Sequence, residues 1–146
     1  MGTRRKGREL ALQALYQLEI TSETSEESLG PLWENVDASA PTKEFARDLV
    51  RGVLERRVSI DRQIEAASQH WRLERLSRVD LTIIRIAVYE LTGSPPLPVE
   101  IAVNEAVELA RRFGTAESAA FVNGLLDEIA DRLGLKRETK VAPNDG

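Results

Sequence analysis

The sequence predicts an all-α protein, a compact bundle of about seven helices in two three-helix halves. Three observations carry this. Apolar residues recur at three- and four-residue spacing in segment after segment. No segment reads as a strand. Gly and Pro punctuate the helical patterns at Gly30-Pro31, Pro41, Ser94–Pro98, Gly114 and Gly134.

The first helix is expected over Arg8–Ile20, with Leu10, Ala14 and Leu18 on one side and Ala11 and Leu15 beside them. Leu12 and Tyr16 form a second apolar face opposite, and Arg5 joins it if the helix begins early. Two apolar faces mark a helix that is central or has a partner. Residues 29–36 can form a short helix opened at Gly30-Pro31. The next opens at Pro41-Thr42 with Thr42 as its N-cap, and buries Phe45, Leu49, Val53 and Leu54. Ser59 or Asp61 can cap a fourth, carrying Ile60, Ile64 and Ala67, which could instead run on from the third through Val58. Residues 70–77 read as the connection between halves, anchored by Trp71, Leu73 and Leu76.

Arg78–Leu91 is almost wholly apolar apart from a narrow stripe of Thr82, Arg85 and Tyr89. A stretch this long is ordinary for a helix and long for a strand, and its composition predicts burial. Prolines break the chain at 93–98. The sixth helix runs to Phe113, with Gly114 in the C′ position. The seventh runs from Ala116 or Ser118 to Leu133, stopped by Gly134. Residues 1–134 thus form one domain, and 135–146 read as a polar, disordered tail.

The stretch FVNGLLD, 121–127, needs a decision. Asn-Gly is a strong hairpin signal, yet Val122, Leu125, Leu126, Ile129 and Leu133 hold helical spacing straight through it. Gly124 in mid-helix costs about 1 kcal/mol relative to alanine, so it needs a reason. Either a neighbouring helix packs closely there, or the glycine clears space beside Phe121. Glu117, Phe121, Gly124 and Glu128 share one stripe, with Phe121 at the margin of the core face.

The chain lacks cysteine, so disulfides, thiolate metal sites and thiol nucleophiles are excluded. The one histidine, His70, has no evident partner. Glu105 and Glu108 stand one turn apart, but a di-metal bundle needs histidines and further carboxylates; a solvated face is the expectation. No metal, cofactor or catalytic site is predicted, and no apolar run is long enough for a membrane span. A cytoplasmic protein is expected.

Net charge is −4, but the first eight residues hold Arg4, Arg5, Lys6 and Arg8 with no acid. Such a cluster at a helix start can grip nucleic-acid phosphates; it can equally be a solubilising tail. Phe121 at the core edge could stack a base, with Glu117 accepting from a base amino group, or it could simply complete the core.

Taken together, RELALQALYQ (8–17), RVDLTIIRIAVYEL (78–91), the Pro-rich break, IAVNEAVELARRFG (101–114) and FVNGLLD resemble the NusB family of bacterial transcription antitermination factors. Residues 21–45 and the tail match poorly. The resemblance implies a non-enzymatic, all-helical protein that binds boxA RNA with NusE, a small-subunit ribosomal protein, and acts in the RNA polymerase antitermination complex on ribosomal RNA operons. Carried over by position, it implies RNA contacts at Arg4, Arg5, Arg8, Glu117 and Phe121. It implies contacts with NusE, or at the protein–RNA seam, at Tyr16, Glu74 and Asp80; Leu12 joins them through its shared face with Tyr16. Some members of the family self-associate, so a homodimer is a further expectation. Gly7 interrupts the basic run. A protein-only scaffold is the main rival, suited by the acidic pI of about 5.2. A further rival is the NusB-like N-terminal module of an RNA cytosine methyltransferase; with no nucleotide-binding α/β domain and no cysteine nucleophile, this chain is not expected to perform that reaction.

Overall fold

The computed structural model describes residues 2–68 and 76–135. Among them are seven α-helices and no strand. They are α1 (Gly2–Thr21), α2 (Gly30–Asn35), α3 (Ala40–Glu55), α4 (Arg57–Ala67), α5 (Arg78–Leu91), α6 (Val99–Phe113) and α7 (Ser118–Arg132), with a short 3₁₀ turn at Glu26–Leu29 before α2. The predicted connection at 70–77 falls mostly outside the described residues, with His70, Trp71, Leu73 and Glu74. So does the predicted tail beyond Leu135.

Packing follows the apolar stripes. α1 lies chiefly against α3, while α5, α6 and α7 pack on one another and α4 docks on α5 and α7. The core runs continuously between the groups through Leu10, Leu15, Val50, Val53, Ile83, Ile84, Val88, Val103, Leu126 and Ile129, all buried. α5 joins the groups because it touches α1 and α3 as well. No described helix is long and apolar enough to cross a membrane.

Several boundaries differ from the sequence expectation, each for a physical reason. α1 begins at Gly2, so its arginines lie on the helix and not before it. The cap of α3 is Ser39, whose Oγ accepts from the Thr42 backbone N–H at 3.3 Å; Thr42 is buried inside the first turn, 2.8 Å from the same Oγ. Neither Ser59 nor Asp61 caps α4, which starts at Arg57 without a side-chain cap. Asp61 instead faces α5, accepting from Arg85 at 2.8 and 3.0 Å. The chain breaks at Arg56 between α3 and α4, so the two helices do not run together.

The polar stripe of α5 is internal. Arg85 is buried and pairs with Asp61 and, at 3.5 Å, with Glu19 near the end of α1. Glu19 also receives Arg57 at 3.2 Å and Arg78. Three arginines from α4 and α5 thus converge on two carboxylates at the seam between α1 and the second group. Tyr89 lies across Gly52 of α3, where an added Cβ would fall 2.1 Å from the ring; only glycine permits that contact.

Two predicted helix stops also resolve. Gly134 does take the left-handed conformation, φ +76°, as a C′ glycine should. Gly114 does not: it is the extended C-cap of α6. A Cβ there would lie 2.4 Å from Ser118 Oγ, and that Oγ accepts from the Thr115 N–H at 2.9 Å.

Candidate nucleic-acid interface

A helix that opens with Arg4, Arg5, Lys6 and Arg8 and no acid sets positive charge against its own positive N-terminal dipole. Tertiary contacts hold it. Arg8 is 5% exposed. Its Nε donates to both oxygens of Glu90 on α5, at 3.0 and 3.2 Å, and its Nη2 to Glu90 Oε2 at 2.9 Å. Its remaining Nη1 lies 3.7 Å from Glu105 Oε1 on α6. Arg5 binds Glu105 in a fork, Nε to Oε1 at 3.2 Å and Nη2 to Oε2 at 2.9 Å. Arg5 holds the Glu105 carboxyl below the ordinary glutamate value of 4.5 through that hydrogen bond, and burial opposes the shift in part. Glu105 is therefore an ion-pair partner, not a solvated face; Glu108 pairs with Arg111 at 3.0 Å.

Phe45 of α3 completes the arrangement. The Arg4 and Arg8 guanidinium groups lie 5.5 and 5.4 Å from its ring centroid, close enough for cation–π attraction. Its Cδ2 would be 2.5 Å from a Cβ at Gly7. The glycine that interrupts the basic run thus admits the ring on which the flanking arginines rest.

Arg5 also lines a polar groove with Asn104, Glu108 and Arg111 of α6 and Ala119, Ala120 and Asn123 of α7. Sequence reasoning missed Asn104, Asn123 and Arg111 as groove residues. The available signal was two asparagines in helix interiors, where they are poor formers with no capping role to justify them.

Phe121 is half-buried at the margin of the core, as its helical position predicts. Glu117 is exposed at the start of α7 and accepts from Thr115 Oγ1 at 3.4 Å. At 100° per residue, Phe121 stands about half a turn round α7 from Ala119 and Asn123. The structure therefore brings Arg5 together with Asn123 on one flank of α7 and puts Phe121 on another. Among the described residues, a Cβ at Gly124 would meet nothing within 4 Å. No described helix packs closely against that glycine.

Leu12 and Tyr16 meet at a second groove. Leu12 is buried at its base, while Tyr16 is 37% exposed. Lys6, Glu9, Leu10, Gln13, Val79, Arg112 and Phe113 complete the lining. Phe113, 45% exposed, was not anticipated as a groove residue; the sequence marks it only as the end of the sixth helix. Arg112 crosses to Glu9. Asp80, next to Val79, gives its backbone N–H to Ser77 Oγ at 3.0 Å. Among the described residues, its buried Oδ1 has no hydrogen-bond partner. Glu74 lies outside the described residues. Among the described residues no group of three or more His, Cys, Asp or Glu is placed to hold a metal.

Comparison with known proteins matches residues 5–131 to the model of the NusB family. The transcription antitermination protein NusB of Myxococcus xanthus is 48% identical over 134 residues, covering 89% of this chain and 96% of that protein. That of Geobacter sulfurreducens is also 48% identical, covering 91% and 97%. Among solved structures, T. maritima NusB superposes with a TM-score of 0.78 at 39% identity, covering 88% of this chain and 90% of that one. A chain in the crystal structure of antitermination factors NusB and NusE in complex with dsRNA shares the fold, with a TM-score of 0.76 at 24% identity, covering 90% and 98%.

Proposed function

This chain belongs to the NusB family, and from that premise we propose that it is a transcription antitermination factor that binds boxA RNA jointly with NusE. In this reading it serves the RNA polymerase antitermination complex on ribosomal RNA operons, in the cytoplasm. The observation that carries the RNA reading is the ordered basic start of α1. It sets Arg4 over Phe45 and Arg5 at a groove with Asn104, Asn123 and Arg111. Guanidinium groups supply phosphate affinity, and amide side chains can read base edges. At 24% identity the NusB–NusE–dsRNA likeness carries the fold alone; boxA and NusE follow from the family premise, and the placing of the RNA contacts from these residues.

Arg4 and Arg5 contact phosphate. Phe121 stacks a base and Glu117 accepts from one. Because those two lie on a different flank of α7 from Arg5, the RNA crosses that helix. Arg8 positions the others: buried against Glu90, it fixes the register of α1 and touches no RNA. The protein partner takes the apolar groove of Leu12, Tyr16 and Phe113, with Asp80 next along α5 from Val79 of its lining.

Titration of labelled boxA RNA with and without NusE tests this. Weak binding alone and tighter binding with NusE is the expected result; equal affinity in both refutes joint recognition. Arg4→Ala with Arg5→Ala should weaken binding and flatten its salt dependence. Unchanged affinity in that variant would favour a scaffold that binds protein alone.

A further inference from the structure

The basic start carries four cations, but they are not equally available. Arg8 is buried and saturated by Glu90. Arg5 is spoken for by Glu105, both of whose oxygens it binds. Among the described residues, Arg4 and Lys6 have no carboxylate partner. Half of the apparent positive charge is thus neutralised internally by acids from α5 and α6.

The geometry of the Arg5–Glu105 pair is that of phosphate recognition: Nε–H and one Nη–H aimed at two oxygens of a planar or tetrahedral anion. We propose that Glu105 is an internal competitor for the RNA backbone, holding the fork of Arg5 until a phosphodiester displaces it. This inference rests on the RNA-binding reading above.

Three features make the exchange feasible. The Arg5 side chain is 47% exposed, so an incoming strand can reach it. An ion pair exposed on one side is weak and screened by salt. Glu105 also faces Arg8 Nη1 at 3.7 Å, so its carboxylate keeps a cation when Arg5 leaves. Without Glu105, Arg5 would be a standing phosphate site at the edge of the Asn104–Asn123 groove. With it, a single phosphate or a short polyanion must overcome both the pair and the repulsion of a carboxylate left close by. The device favours strands that engage Arg4 and the groove at once.

The test uses Glu105→Gln in the full chain, titrated with single-stranded boxA RNA over a range of salt. Expected is an affinity gain of about two- to fivefold at low salt. The log–log salt slope should stay near the native value, because Arg5 meets the same phosphate in both proteins and only the competing carboxylate is gone. Glu34→Gln is the control, since it removes the same charge from an exposed position outside the groove. Equal gains from the two variants would overturn the proposal, because net charge alone would then account for them. So would weaker RNA binding by Glu105→Gln with native thermal stability, which would make Glu105 a positioning residue. Arg5→Ala should abolish the gain, and a gain that persists without Arg5 also overturns it. If Glu105→Gln fails to fold, Glu105→Asp keeps the charge but shortens the reach; it should bind RNA more tightly than the native chain. Salt-dependent binding by the native chain with no response to any Glu105 variant refutes this inference alone. Native protein without salt-dependent RNA binding refutes the functional reading as well.

Discussion

Replacing Gly124 with alanine should stabilise the protein. The residue sits inside α7, between Phe121 and Glu128 on the exposed stripe, in ordinary helical conformation. A Cβ there meets no heavy atom within 4 Å, so no packing penalty offsets the gain in helix propensity. That gain is about 0.8–1 kcal/mol for a helix interior. In a domain of this size it raises Tm by about 2–4 °C, and thermal unfolding followed by far-UV circular dichroism resolves such a shift. RNA binding should move the other way. With no described helix against the glycine, clearance beside Phe121 is the reading to test; a methyl group one turn on would narrow the approach of a base to that ring. A variant with lowered or unchanged Tm would refute the free-space argument. A stabilised variant with native boxA affinity would refute the clearance argument and leave Gly124 without a role in RNA recognition.

Gly52→Ala is the contrasting case: its Cβ would overlap the Tyr89 ring, so denaturant titration should show a loss of about 1–3 kcal/mol despite better helix propensity. Arg8→Ala removes the cation from Glu90, whose side chain is 10% exposed. It should cost about 3 kcal/mol or more and reduce RNA binding only in proportion to unfolding. An Arg8→Ala protein of native stability that fails to bind RNA would reverse the roles assigned to Arg8 and Arg5. For pH, the folded carboxyl of Glu105 titrates below 4.5, so the chain binds fewer protons folded than unfolded in that window. Its contribution to stability is therefore complete above 4.5 and is lost as pH falls through the depressed folded value. Glu105→Gln should flatten that part of the acid limb in a pH series of thermal melts, and an identical limb would refute the assignment.

The helices were legible because their signals are local. Apolar spacing through FVNGLLD overrode a strong hairpin dipeptide, and the same spacing put Phe121 at the edge of the core and Leu12 with Tyr16 on a second face. Charged residues were read less well, since a carboxylate looks the same in sequence whatever it faces. Asp61 stood where a helix cap is expected and proved to be the acceptor for Arg85, 24 positions away. Glu105 looked solvated because its partner lies 100 positions upstream. Arg8, paired across 82 positions, was indistinguishable from its exposed neighbours. Helical-wheel arithmetic relates residues three and four apart; it has no access to pairs made by the packing of distant helices.

The clamps on α1 also bear on what its sequence is suited to. The helix opens with four cations and carries Glu19 near its end, an order of charge that runs against its own dipole. Its correctives are Glu90 and Glu105 at the start and Arg57, Arg78 and Arg85 at the end, all on other helices. The charge pattern of α1 thus suits the assembled bundle and not an isolated helix.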